Sequence, residues 1–232
     1  MNEARQGDPR TRAEHAVIVC GTAGGVGTSV ISALLAESRA AASLGQGSWW
    51  VDASGNDCDL EIRLRGSGDP ELLRTGAGTG LWIAPDGAPV TEAVVQVWNS
   101  GAVPVVDAGA HALTLLPDLV EDPLPHLTPV LVIGPRPDLL NRARMIFAEW
   151  ARVGVLEHTV VVINSPVPSA DQAGLNSLLT DVVSGSVADV IGIDYDPVLG
   201  AGTALDAEAQ GRLLSGTRSA IAALAAATAD RR

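Results

Sequence analysis

Six consecutive residues near the start of the chain, 24–29, have the composition of a phosphate-binding loop. They follow a short apolar run at 16–20 that is rich in β-branched residues and predicts a buried strand. They lead into Ser-Val-Ile-Ser-Ala-Leu-Leu-Ala, which has the apolar spacing of a helix. Glycines at such a junction let backbone N–H groups turn towards an anion, and the positive end of the helix dipole adds to the attraction. The predicted phosphate loop consists of Gly24, Gly25, Val26, Gly27, Thr28 and Ser29.

The side-chain cation expected in such a loop is missing. The phosphate-binding motif G-x-x-x-x-G-K-[ST] places a lysine on the β- and γ-phosphates and a hydroxyl on Mg²⁺. Here Thr28 stands at the lysine position, and Ser29 keeps the hydroxyl. The basic residues of the chain are all arginine, so neither this chain nor an identical partner can supply a lysine. Whatever the loop binds, it binds without one.

Three other predicted strands end in a residue with a polar side chain. Asp52, Asp107 and Asn164 each follow an apolar run directly. In parallel sheets the ligand lies beyond the carboxyl ends of the strands, so these side chains are expected beside the phosphate loop. We expect Asp107 and Ser29 to hold Mg²⁺, directly or through water, and the Asn164 amide to contact adenine. A lone Asp or Asn after a strand is also an ordinary turn residue, and this alternative stays open for each.

The chain alternates between apolar runs and helical patterns along its whole length. Strands are predicted at 16–20, 48–52, 80–84, 103–107, 128–133, 159–164 and 190–193, and helices at 29–42, 89–99, 138–152, 171–184 and 207–227. Continuous apolar strands that alternate with helices predict an α/β fold, with a mostly parallel central sheet and helices on both faces. We expect a flexible N-terminal segment at 1–14 and a single domain at 15–230.

Composition restricts the classes of function. The chain has 232 residues, 47% of them hydrophobic, which suffices for one good core. Its net charge of −12 argues against nucleic-acid binding, which needs clustered basic residues. Cys20 and Cys58 fit neither a metal-ligand spacing nor a disulfide framework. No signal peptide or run of about 20 apolar residues is present. We therefore expect a cytoplasmic protein without a transmembrane segment.

The order of these motifs resembles one group of ATPases. The run 23–29 is similar to the deviant Walker A loop K-G-G-V-G-K-[ST] of the ParA/MinD group of P-loop ATPases, with both lysines replaced. It is more similar to the G-G-x-G-A-S-T form of the TadZ/CpaE-like branch of pilus assembly and localisation factors. Three further segments of the chain resemble the group's later motifs, and one resembles a segment of the branch. These are 105–107 for the Walker B strand, 162–164 for the base-contacting strand, 195–197 for the P-Y-D-P turn and 50–60 for the V-D-x-D-x-x-x-G-D-L segment.

The resemblance implies a site for ATP or ADP with Mg²⁺, but three positions depart from the active ATPases. Ala23 replaces the lysine that reaches across a dimer, Thr28 replaces the loop lysine, and Ser54 replaces the aspartate that positions the attacking water. Phosphoryl transfer depends on positioning and on countercharge at the phosphates, so we predict slow hydrolysis or none.

Three hypotheses about function follow from this pattern. The first is a nucleotide-binding localisation or assembly factor for a pilus, secretion or polar machine, with a protein partner and either as a monomer or as a homodimer. The second is a nucleotide-free pseudo-ATPase scaffold. The third is a slow partitioning-type ATPase that takes its countercharge from Arg136 or Arg144 of a partner. The tryptophans are either contact anchors or core residues: Trp49, Trp50, Trp82, Trp98 and Trp150.

Overall fold

The structure is a computed structural model. It describes residues 16–42, 47–55, 63–64, 75, 79–85, 87–120, 126–168 and 172–229. The N-terminal segment expected to be flexible lies outside the described residues, as do Cys58 and the rest of 56–60.

Seven strands form one parallel sheet, as the sequence predicts. The strands are β1 (Ala16–Gly21), β2 (Ser48–Asp52), β3 (Gly80–Ile83), β4 (Val103–Asp107), β5 (Leu127–Ile133), β6 (Val160–Asn164) and β7 (Asp189–Ile193). Their order across the sheet is β3-β2-β4-β1-β5-β6-β7, and every neighbouring pair is parallel. The strand that leads into the phosphate loop therefore lies in the middle of the sheet.

Helices connect the strands and cover the sheet. They are α1 (Thr28–Ala42), α2 (Val90–Asn99), α3 (Leu116–Val120), α4 (Pro137–Arg152), α5 (Gln172–Val183), α6 (Pro197–Gly200), α7 (Ala207–Gly211) and α8 (Ser215–Ala229), with a 3₁₀ turn at Leu156–His158. The helices α1, α2, α4 and α5 match the predicted ones closely, whereas the short helices α3 and α6 and the 3₁₀ turn were not predicted. Within the described ranges, no helix is long and apolar enough to cross a membrane.

Two hydrophobic cores lie on opposite faces of the sheet. Alternate residues of β1 divide between them: Val17 and Val19 belong to the core that includes residues of α1 and α8. Ile18 and Cys20 belong to the core that includes residues of α2 and α4. Because both faces are covered, a strand must be apolar on both sides, which explains its continuous apolar run. The predicted fold class is confirmed.

The predicted helix at 207–227 is wrong as a single element. The structure has α7 and α8 there, separated by a turn at 212–214. The buried carboxylate of Asp196 accepts the Leu214 N–H at 2.8 Å, and Leu213 is buried in the core. The alanine-rich sequence supports helix on both sides of this turn. The interruption comes from a tertiary contact with the residue that also caps α6, through the Val198 N–H.

The tryptophans pack in or against the cores. Trp50 and Trp150 are fully buried, and the other three are half-buried against the core on the α2 side. The Trp50 indole N–H donates to the Ser32 hydroxyl at 2.8 Å, and that of Trp150 donates to the Ala112 carbonyl at 3.0 Å. Of the two interpretations of these residues, this packing favours core filling.

Candidate functional site

The crest of the phosphate loop is open. Gly25 and Gly27 have φ angles of 78° and 90°, a left-handed conformation that other residues rarely adopt. A Cβ atom on Gly24 or Gly25 would meet no atom within 4 Å. The loop ends in the first turn of the 15-residue helix α1, where the Ile31 N–H donates to the Gly27 carbonyl at 3.0 Å. Backbone N–H groups and the positive end of a long helix therefore meet at an accessible surface.

The underside of the loop is closely packed. Thr28, at the position of the loop lysine, is only 7% exposed. Its hydroxyl lies against Gly21, the last residue of β1, so closely that a Cβ on Gly21 would overlap it. Ala23, at the position of the other lysine, is also buried and belongs to the core on the α1 side. Neither replacement places a charged group at the loop.

Ser29 and Asp107 meet at the base of the loop, as predicted. Asp107 is fully buried at the end of β4, and its Oδ1 accepts the Gly109 N–H at 2.9 Å. Burial raises the pKa of Asp107 to about 7, and the charge of Asp52 adds to the rise. Hydrogen bonds from the Ser29 hydroxyl and the Gly109 N–H oppose it. Among the described residues, Oδ2 of Asp107 has no hydrogen-bond partner.

These two side chains fit a magnesium ion. Mg²⁺ takes oxygen ligands and is usually held by one or two carboxylates together with waters and substrate phosphates. A hydroxyl beside a buried carboxylate with an unpartnered oxygen is such a donor set, and a cation there would compensate that oxygen. In the part of the chain that the structure describes, no group of three His, Cys, Asp or Glu side chains could hold a metal ion by itself. Ser29 and Asp107 therefore fit an Mg²⁺ ion whose remaining ligands are phosphate oxygens and water.

Asp52 lies beside Asp107 and is engaged by its own turn. The two aspartates are register partners on the adjacent strands β2 and β4. Oδ1 of Asp52 accepts both the Ser54 N–H, at 2.9 Å, and the Ser54 hydroxyl, at 2.6 Å. The Ser54 hydroxyl is thus committed to a hydrogen bond with Asp52. A cavity of about 500 Å³ adjoins Ser54 and His111 on this side of the sheet.

Asn164 contacts the phosphate loop itself. Its Nδ2 donates to the Val26 carbonyl at 2.7 Å, and the side chain is only 6% exposed. It also lies so close to Gly27 that a Cβ there would overlap the amide. The end of β6 is therefore joined to the loop across the sheet. The predicted adenine contact stays a prediction, and this hydrogen bond is a second role that the sequence did not indicate.

Gly109 is a site residue that the sequence analysis missed. Besides its contact with Asp107, its carbonyl accepts the Gly21 N–H at 2.7 Å, and its φ is 58°. A Cβ on Gly109 would lie 2.9 Å from the Cβ of Ser54, so the turns after β1, β2 and β4 meet at this residue. The sequence does contain a signal for this role, because Gly109 lies two positions after Asp107, the aspartate that ends β4.

This fold, a parallel α/β sheet with a glycine loop between its central strand and α1, is shared with solved ParA and MinD structures. The solved structures with this fold include a ParA family ATPase from Chlorobium tepidum TLS, with a TM-score of 0.61 and 17% identity over 92% of this chain and 99% of that one. MinD from Aquifex aeolicus has a TM-score of 0.60 and 17% identity over 91% of this chain and 95% of that one. The MinC:MinD complex from Aquifex aeolicus has a TM-score of 0.61 and 17% identity over 91% of this chain and 94% of that one.

The similarity to these structures is one of fold. At 17% identity it supports the ParA/MinD-like architecture that the motif order implies. No protein-family model matches the sequence, and no curated protein does.

Proposed function

We propose that this protein is a ParA/MinD-like factor that binds ATP or ADP with Mg²⁺ and hydrolyses it slowly or not at all. The observation that carries the proposal is the buried Oδ2 of Asp107, which has no hydrogen-bond partner in the described part of the chain and lies beside the Ser29 hydroxyl, at the base of an open glycine loop. An anion at the loop and a cation at this pair would complete a site that is otherwise left with an uncompensated polar atom.

Binding requires no lysine in this geometry. Backbone N–H groups of the phosphate loop and the N-terminus of α1 would bind the phosphates. Ser29 and Asp107 would hold Mg²⁺, which supplies countercharge to the phosphates when bound. The Asn164 bond to Val26 holds the loop in place before any ligand arrives. A site organised in advance binds with a smaller cost in ordering.

The chain lacks the groups that accelerate hydrolysis. Thr28 and Ala23 are buried and uncharged, and Ser54 donates to Asp52 instead of accepting a proton from water. Removing one transition-state donor from an enzyme costs roughly 3–4 kcal/mol of activation free energy. Three such replacements would make turnover slower by several orders of magnitude.

A role in localisation or assembly agrees with a nucleotide-binding protein of low turnover. We propose a TadZ/CpaE-like cytoplasmic factor for a pilus, secretion or polar machine, acting through a protein partner, with a homodimer as one form of the protein. The order of the motifs with their deviant Walker A loop supports the branch. The fold shared with MinD, which was solved in complex with MinC, supports a protein partner.

A nucleotide-free scaffold is the second candidate. The observation that favours it is the packing of Thr28 beneath the loop, where an uncharged side chain fills the space against Gly21. A third candidate, the slow ATPase with arginine countercharges, is less favoured, because Arg136 is paired with Asp138 of its own chain at 3.0 Å.

Calorimetric titration with ATP and ADP in the presence of Mg²⁺ tests the proposal, with the paired variants Gly24→Asp and Gly24→Asn. Gly24 suits this purpose because a side chain there meets no atom, whereas one at Gly27 would disturb Asn164. A carboxylate about 5 Å from a phosphate charge costs about 3 kcal/mol at an effective dielectric constant of 20. We expect binding to the wild type and to the Asn variant, and at least 100-fold weaker binding to the Asp variant. Absence of heat with the folded wild-type protein would favour the scaffold.

A further inference from the structure

We propose that the site recognises the phosphate chain of its ligand and makes no base-specific contacts. Inorganic triphosphate and nucleoside triphosphates with any base would then bind with similar affinity. This inference rests on the proposed function, and it specifies which part of the ligand provides the binding energy.

The space available to a base is small. The predicted base contact Asn164 lies beside Gly27 and Val30 of the first turn of α1, and we place the base of a loop-bound nucleotide there. The cavity at this place, between the loop and the ends of β6 and β7, measures about 50 Å³. It has room for about three or four water molecules. Pockets that enclose small molecules measure roughly 300–1,000 Å³, so a fused two-ring base does not fit.

Two polar side chains of the cavity wall, Asn164 and Asp196, are held by hydrogen bonds within the fold. The Asn164 amide donates to the Val26 carbonyl. Asp196 is 2% exposed, and its two oxygens accept the Val198 and Leu214 N–H groups at 2.9 and 2.8 Å. These bonds cap α6 and fix the turn before α8, so releasing them would disturb both helices.

Ser165 and Asp194 are the other two residues of the cavity wall with polar side chains, and Asp194 is exposed at its edge. The Ser165 side chain lies deeper than that of Asp194. Its hydroxyl is buried and has no hydrogen-bond partner among the described residues. A hydroxyl can donate and accept, and it rotates to suit either. It therefore cannot distinguish adenine from guanine, and it can be satisfied by a water molecule in a cavity of this size.

Opening the cavity would disturb its walls. The Tyr195 ring lies against Gly200, where a Cβ would come within 2.8 Å of it. The Ser165 N–H continues the pairing of β6 and β7 by donating to the Ile193 carbonyl at 3.0 Å. Moving Asn164 aside to admit a base would break its bond to Val26 and loosen the phosphate loop. Contact with a base inside this cavity would therefore weaken the phosphate site.

The decisive experiment compares ligands with the same phosphate chain. Tripolyphosphate, ATP, GTP and adenosine are titrated calorimetrically into the protein with Mg²⁺. We expect the affinities for the first three to agree within about threefold and adenosine to give no heat. If ATP bound more than tenfold tighter than both tripolyphosphate and GTP, the inference would be wrong while the proposed function stood. If none of the four bound, the proposed function would fail and the inference with it.

An Asn164→Ala variant separates the two roles of this residue. If Asn164 positions the loop, losing one hydrogen bond lowers the affinity for tripolyphosphate and ATP by the same factor, about three- to tenfold. A loss confined to ATP would reveal a base contact and overturn the inference. Asn99→Ala is the control, because Asn99 is exposed at the end of α2. Circular dichroism confirms that both variants are folded before the titrations are compared.

Discussion

The buried carboxyl group of Glu37 gives the protein a predictable dependence of stability on pH. Glu37 lies on α1 and is 6% exposed. The Gln210 side chain donates to its Oε2, while Oε1 has no partner among the described residues. Burial raises the pKa of Glu37 from 4.5 to about 7, against hydrogen bonds from the Thr75 and Gln210 side chains. The charged form is therefore disfavoured in the folded state.

The direction of the change in stability with pH follows from the number of protons that the folded and unfolded states bind. Between pH 4.5 and about 7 the folded protein holds a proton on Glu37 that the unfolded chain has lost, so stability falls as the pH rises through this window. The gap between the two pKa values corresponds to about 3 kcal/mol. Below pH 4.5 both states are protonated, and above pH 7 the full destabilisation is present. A Glu37→Gln variant lacks this titration.

Urea unfolding followed by tryptophan fluorescence, measured at intervals from pH 4 to 8.5, tests this prediction. The free energy of unfolding of the wild type should fall by about 3 kcal/mol relative to Glu37→Gln between pH 4.5 and 7. The difference between the two proteins cancels the other titrating groups they share. Glu92→Gln, at an exposed position on α2, should follow the wild type. Parallel curves for wild type and Glu37→Gln across the whole range would refute the reasoning.

Two further variants test the site. Without Mg²⁺ and above pH 7, Asp107→Asn should be more stable than the wild type, because the substitution removes a buried charge. The same variant should lose Mg²⁺-dependent nucleotide binding. Urea unfolding measures the first effect and calorimetry the second, and unchanged binding would exclude Asp107 from the metal site. Gly21→Ala should destabilise the protein by about 1–3 kcal/mol because its Cβ overlaps the Thr28 hydroxyl, whereas Gly24→Ala should cost less than 1 kcal/mol. Thr28→Ala should relieve part of the Gly21→Ala loss in the double variant, and strict additivity would contradict this contact.

The strands could be predicted from the sequence because the sheet is covered on both faces. Each buried parallel strand is a continuous apolar run, and the predicted strand at 103–107 coincides with β4. The C-terminal helices could not be divided correctly, because alanine-rich sequence favours helix throughout 207–227. The turn between them is stabilised by a hydrogen bond from Leu214 to Asp196, 18 residues away. A local pattern carries no information about such a contact.

The position of the site's polar side chains at one edge of the sheet could be predicted, but the hydrogen bonds that they make could not. Parallel strands end at the same edge, which is why Asp52, Asp107 and Asn164 were expected near the loop. The partner of each side chain depends on its rotamer and on distant backbone. The bond from Asn164 to Val26 spans 138 residues, and it gives the amide a role in holding the loop. Sequence spacing indicates which groups are neighbours without showing which of them are already satisfied.

The three replaced positions have structural roles that explain why the loop keeps its shape without the lysines. Ala23 is buried in a core, Thr28 fills the space against Gly21, and Ser54 donates to Asp52. A lysine at position 23 would have to leave the core, and an aspartate at 54 would place a second carboxylate against Asp52. Because each of these side chains packs or hydrogen bonds within the fold, we expect Ala23→Lys, Thr28→Lys or Ser54→Asp, made singly, to disturb the loop.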